Sequence, residues 1–151
     1  MSDAQIDKDD LHAQELAQRS ADFLFERDEM SRSLGIRIVQ IGPGRARLSM
    51  LVRADMVNGH GACHGGVLFS LADSTFAFAC NTYNAITVAA GATIDFLIPA
   101  KQGDELTAVA HEVWRSRRSG IYDVFILNQR QERIALFRGR SHQLEGKLVD
   151  N

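Results

Sequence analysis

Charge is what the middle of this chain lacks. Between Asp55 and Asp95 the one formally charged residue is Asp73. Cysteine is scarce as well. Cys63 and Cys80 are the only two, which excludes a disulfide framework and fits a reducing compartment. No basic run is present, and a formal net charge of −2 gives no general attraction to nucleic acid. Long apolar runs are missing too: the longest, Val67 to Cys80, is short for a bilayer span and carries Asp73. The first residues, Met-Ser-Asp-Ala-Gln-Ile-Asp, are polar and acidic, unlike a secretory signal. A cytoplasmic protein with neither nucleic-acid nor membrane partners is expected.

What is present is the composition of an ordinary globular protein, 45% hydrophobic and 24% charged. With 151 residues it is most simply one domain able to bury roughly two thirds of its unfolded surface. Residues 1 to 33 read as a polar segment plus a helix, 34–142 as the folded unit and 143–151 as a tail. Residues 1 to about 9 are expected to be loose. From Asp10 to Arg27, Leu11, Leu16, Phe23 and Leu24 recur among charged residues, which predicts an amphipathic helix. Two alternating runs, Ile36–Ile41 and Ala46–Arg53, flank Gly42-Pro43-Gly44 and read as an antiparallel hairpin. Four more strands are expected over Thr87–Ile98, Glu105–Ser116, Gly120–Gln129 and Arg133–His142.

Between them, about His64 to Tyr83, lies room for one helix of some five turns. Leu68, Leu71, Ala72, Phe76, Phe78 and Ala79 make most of its circumference apolar, so it belongs inside the protein. With Val67 at zero, a narrow stripe of Asp73, Ala77, Ser70 and Ser74 falls at about 240°, 280°, 300° and 340°. That stripe is expected to face a cleft or a partner. The whole order predicts an α+β fold in which an antiparallel sheet wraps one long central helix. A sheet covers one side of such a helix, so a second copy of the chain is expected on the other.

Ionised carboxylates lose several kcal/mol or more of hydration on burial, so a lone Asp in an apolar helix needs a reason. The same helix begins at Gly65-Gly66. A helix start carries unsatisfied N–H groups and positive dipole charge, and residues without Cβ let a carbonyl approach them. That is the layout of an oxyanion hole. Asp73 follows Gly65 by eight residues, about 12 Å along the axis. A substrate carbonyl joins the two only by bridging diagonally, through water, or beside a neighbouring subunit.

The pattern Asn58-x5-His64-Gly65-Gly66-x6-Asp73 resembles the signature of hotdog-fold acyl-CoA thioesterases. It is most similar to the PaaI-type branch, associated with phenylacetic acid degradation. The resemblance spans about residues 34–142 and includes the run Ile94-Asp95-Phe96-Leu97-Ile98-Pro99-Ala100 and Gly103-Asp104. It implies Asp73 as nucleophile or general base and the Gly65 N–H as polariser of the thioester carbonyl, with Gly66 keeping that approach open. Asn58 would hold the carbonyl or the attacking water, and His64 would order the loop or bond near the thioester. Ser74, on the polar stripe, would touch substrate. The site would lie at a subunit interface of a homodimer or homotetramer, drawing Asp73 and the His64-Gly65-Gly66 loop from different chains. Coenzyme A is part of the substrate, and no metal or other cofactor is implied. Its phosphates need cations, for which Arg117 and Arg118 are the candidates beside Arg115, Arg138 and Arg140. The acyl group is left open: aryl-acetyl and hydroxylated aromatic groups by resemblance, medium chains by the helix phenylalanines.

Competing patterns are weaker. Gly59-x-Gly61-x-x-x-Gly65 approaches a dinucleotide fingerprint, but the surrounding strands do not alternate with helices. His60, Cys63, His64 and Cys80 lack the paired spacing of a zinc site. No Gly-x-Ser-x-Gly turn supports a serine hydrolase. Hotdog hydratases usually carry His five residues after the acid, where this chain has Phe78. A non-catalytic hotdog protein that binds acyl-CoA or acyl carrier is the main alternative.

Overall fold

The computed structural model describes residues 7–151. Of the segment expected to be loose, residues 1–6 lie outside the described residues. Lys8 and Asp9 already belong to the first helix, α1 (Lys8–Arg27), because the Asp7 side chain accepts the Asp9 N–H and caps it. α1 buries Ala17, Ser20 and Ala21, with Leu24 and Phe25 resting on the core.

A second short helix, α2 (Glu29–Ser33), follows immediately and was not anticipated. Asp28 serves both: its N–H donates to Phe25 O at the end of α1, and its Oδ1 accepts the Ser31 N–H at 2.9 Å to start α2. The hairpin is present as β1 (Arg37–Gly42) and β2 (Arg45–Leu51). Gly44 closes its turn at φ +69°, where only glycine is unstrained. After a short 3₁₀ turn at Ala54–Met56 comes the central helix, α3 (Gly65–Cys80). The remaining strands are β3 (Thr87–Phe96), β4 (Glu105–Arg115), β5 (Ser119–Leu127) and β6 (Arg133–Gln143).

The six strands form one sheet in the order β1-β2-β4-β5-β6-β3, and every neighbouring pair is antiparallel. β3 therefore does not sit beside β2. The chain leaves β2, crosses the concave face as α3, and enters the sheet at its far edge beside β6. The inward positions are Ala46, Leu48 and Met50 on β2, Leu106, Ala108 and Ala110 on β4, Tyr122, Val124 and Ile126 on β5, and Ala135, Phe137 and Gly139 on β6. Many are small, and that leaves a trough for the helix. At Gly139 an added Cβ would lie 2.9 Å from the Phe76 ring. Both partners are buried, so Gly139→Ala is expected to overpack the trough and destabilise the fold by about 1–3 kcal/mol. A fall in Tm without a new cofactor or ligand dependence is the readout.

α3 is apolar around most of its surface, as expected: Leu68, Leu71, Ala72, Phe76, Phe78 and Ala79 are all buried. It ends at Cys80, three residues short of the expected Tyr83. The Asn81 side chain takes over, donating to Ala77 O and Thr87 O and accepting the Thr87 N–H. The flank that a sheet leaves open is covered in part by the chain's own N-terminal helices. Phe25 of α1 meets Phe78 with ring centroids 6.1 Å apart, and Ser31 of α2 meets Ser74. Asn84 clamps the tail through the backbone of Leu148 and Val149.

Candidate active site

The site begins where α3 begins. His64 is the N-cap in extended conformation, and its Nδ1 accepts the Gly66 N–H at 2.8 Å. An accepting Nδ1 carries no proton, which leaves Nε2 as the N–H of the neutral ring. A Cβ on Gly66 would come 3.0 Å from that Nδ1, so glycine there makes room for the cap. The Gly65 N–H, by contrast, has no hydrogen-bond partner among the described residues. It is one of the orphan donors of a helix start, backed by the positive end of the dipole.

Asn58 is fixed by the same loop. Its Oδ1 accepts the N–H groups of His60 and Ala62 at 2.9 and 3.2 Å. The acceptor is thereby used up, and the amide Nδ2 is what it can offer to a ligand. Asn58 and Gly65 line one cleft of about 460 Å³ with Ala62, Cys63, Leu68 and the stretch Phe96 to Ala100. The Phe96 ring lies over Gly65, 3.1 Å from where a Cβ would stand. Phe96, Leu97 and Ile98 are 54%, 52% and 41% exposed, an apolar rim beside an unpartnered N–H.

Cys63 also lines this cleft. Burial, and then the charge of Asp104, push its thiol up to about 11, so it is protonated at neutral pH and a poor nucleophile.

Asp73 is half-buried on the polar stripe, and neither a hydrogen bond nor an ion pair holds its carboxylate among the described residues. Loss of solvent raises its pKa above the ordinary carboxylate value, and the negative charge of Asp28 adds to the rise. It does not line the cleft of Asn58 and Gly65. Ser74 has its hydroxyl 2.7 Å from Ser31 Oγ, under α2.

Arg117 and Arg118 line a separate cavity of about 360 Å³ with His142, Gln143 and Leu144. Neither forms an ion pair among the described residues. The other arginines of the group are engaged. Arg115 stacks on Tyr83 and pairs with Glu112, and Arg138 grips Asp123 with two hydrogen bonds of 2.7 and 2.9 Å.

One chain thus gathers Asn58, His64, Gly65 and Gly66 at one end of α3, keeps Asp73 about midway along it, and holds Arg117 and Arg118 at the opposite end of the sheet. The sequence did not assign Phe96, Leu97, Ile98 and Pro99 to the cleft. An apolar run that continues past the end of a strand was the available signal.

An antiparallel six-stranded sheet around one central helix, whose start leaves an N–H unpartnered, defines a class. A family model described as the thioesterase superfamily matches residues 60–135, and the chain belongs to that superfamily. Its six-stranded sheet and α3 are the hotdog fold. The acyl-coenzyme A thioesterase PaaI of Escherichia coli is 46% identical over 133 residues, 88% of this chain and 95% of that protein. The solved structure of the E. coli PaaI protein from the phenylacetic acid degradation operon matches with a TM-score of 0.88 at 45% identity, over 89% of this chain and 98% of that one. A mutant structure of the phenylacetic acid degradation protein PaaI from Thermus thermophilus matches with a TM-score of 0.75 at 38% identity, over 78% of this chain and all of that one (100%).

Proposed function

We propose that this enzyme hydrolyses acyl-CoA thioesters to the free acid and CoA, with arylacetyl and hydroxylated phenylacetyl groups among its acyl chains. The observation that carries this is the unpartnered Gly65 N–H opening into an apolar cleft beside the Asn58 amide. Two donors lining one cleft suit a thioester carbonyl that gains negative charge as it is attacked. His64 fixes the turn that aims them, and Gly66 keeps the turn tight. Asp73 takes a proton from water as the water oxygen bonds to the carbonyl carbon, or attacks that carbon itself to form an anhydride that water then opens. The C–S bond breaks, and thiolate leaves and is reprotonated from solvent. A raised carboxyl pKa suits a base that works near neutrality.

Asp73 and Gly65 are too far apart on one helix to share a carbonyl directly, so two chains complete the site. β3 supplies the means: it is an edge strand of ten residues, mostly exposed, whose outer hydrogen-bonding groups face no other strand among the described residues. Long free edges of this kind pair with another copy unless blocked by charge or proline. Antiparallel pairing of two β3 strands sets the Phe96 end of each beside the Thr87 end of the other. The partner's Arg117–Arg118 cavity, which lies at the Thr87 end, then stands near the cleft of the first chain. In this reading those arginines hold the CoA phosphates, and the assembly is a homodimer or a homotetramer built from it. No helix among the described residues is long and apolar enough to cross a membrane. Two free buried cysteines support placing the enzyme in the cytoplasm.

Thiol release measured over a panel of acyl-CoAs tests the activity; binding of every acyl-CoA without thiol release would support the non-catalytic alternative. Replacing Arg117 and Arg118 together by Ala is expected to raise KM about tenfold with kcat little changed, because phosphate contacts bind ground and transition states alike. The defect should shrink at high salt, which already screens the wild-type contact.

A further inference from the structure

We propose that Asp28, acting through Ser31 and Ser74, is a positioning residue for the carboxylate of Asp73. This rests on the reading of Asp73 as the base or nucleophile. A short hydrogen-bonded chain links the α1–α2 junction to the middle of α3. Ser31 is 1% exposed, and its hydroxyl donates to Asp28 Oδ2 at 2.5 Å. A hydroxyl has one hydrogen, so in the 2.7 Å contact between Ser31 Oγ and Ser74 Oγ the donor is Ser74. The chain therefore runs Ser74 to Ser31 to Asp28 and ends on a carboxylate that also binds the Ser31 N–H.

Ser74 follows Asp73 directly, so this bond fixes the rotation of the turn that carries the catalytic group. That matters because nothing among the described residues holds the Asp73 carboxylate itself. Its placement is inherited from the helix, and the helix is pinned at that turn by α2. Asp28 has a second influence through its charge. Negative charge opposite Asp73 opposes ionisation, in the same direction as burial. Burial and the charge of Asp28, in that order, are what raise the pKa of Asp73. On α3 itself the charge of Asp73 is felt by Cys80, a thiol that burial above all pushes up to about 12.

The test is the pH dependence of kcat and KM for thiol release by wild type, D28N, S31A and S74A. D28N keeps an acceptor for Ser31 but loses the charge, so the acidic limb of its kcat/KM profile is expected to move to lower pH. S31A and S74A keep the charge but cut the chain. Each is expected to lower kcat several-fold, up to about tenfold, with KM within about twofold and the limb in place. A merely structural role would change Tm without moving the limb. If D28N traces the wild-type profile and both serine variants turn over like wild type, the positioning role is overturned. D73N run alongside separates the two readings: full turnover by D73N removes the base itself, whereas an inactive D73N with unaffected D28N, S31A and S74A removes only the positioning unit. If D28N does not fold, the serine variants decide the matter alone.

Discussion

Replacing Asp73 by Asn is expected to remove thioester hydrolysis, lowering kcat by about 10³-fold, while the protein stays folded and gains stability at neutral pH. The loss of rate follows from chemistry: an amide neither takes a proton from water nor attacks a thioester. The gain in stability follows from linkage. Burial, and then Asp28, raise the Asp73 pKa above its ordinary 3.8, so the native chain holds that proton more tightly than the unfolded chain does. Stability therefore falls as pH rises from the unfolded value through the native one, and the penalty is complete above it. D73N, which carries no charge, escapes the penalty. Its Tm should exceed that of wild type at pH 7, and the difference should narrow as pH falls through the raised native value and vanish well below 3.8, where Asp73 is protonated in both states. Thiol release and a thermal melt at two pH values check both arms, and turnover like that of wild type would remove Asp73 from the mechanism.

Gly65→Pro is expected to be equally silent in the thiol-release assay, and its mixture with D73N is expected to regain activity. Proline deletes one N–H, and the first position of a helix is where that deletion is best tolerated. His64 already has φ −58° and ψ 133°, the extended conformation that a residue before proline prefers. Gly65→Ala is the control, since it adds a Cβ against the exposed Phe96 ring but keeps the donor. Loss of an oxyanion donor lowers kcat by about 10²–10³-fold, so the proline variant should fall that far below the alanine one. Mixing G65P and D73N chains then separates two architectures. If each site takes Asp73 from one chain and Gly65 from the other, mixed dimers contain one intact site. Random exchange then restores about a quarter of wild-type activity. If each site lies within one chain, no pairing restores anything. Light scattering of the same samples gives the assembly size.

Much of this arrangement was legible before any coordinates, for identifiable reasons. β2, β4 and β5 each have one buried face, so their alternation stands out in sequence. α3 announced itself by an apolar circumference, and Asp73 by isolation from any other charge. What escaped depended on contacts distant in sequence. β3 was read as a strand, but its place beside β6 was not, because that follows from the crossing of α3. α2 has five residues, too few for a helical period to register, although Asp28 three residues before Ser31 was a capping signal. Phe96 over Gly65 joins residues thirty-one apart in sequence and could not be read locally. The loop's use of the Asn58 oxygen, which turns that side chain into a donor, is local by contrast, reaching only to His60 and Ala62.

The trough under α3 has a consequence for how such an enzyme can diversify. Ala46, Ala108, Ala110, Ala135 and Gly139 are small and buried, and at Gly139 even a Cβ would meet the Phe76 ring, so larger residues here press on the helix that carries Gly65 and Asp73. Selection for a different acyl group therefore has little freedom in the interior. Phe96, Leu97 and Ile98 are under no such constraint: they border the cleft, stand more than a third exposed, and can change size without moving α3. New substrate ranges should arise by substitution along that rim, over a catalytic frame that is inherited unchanged.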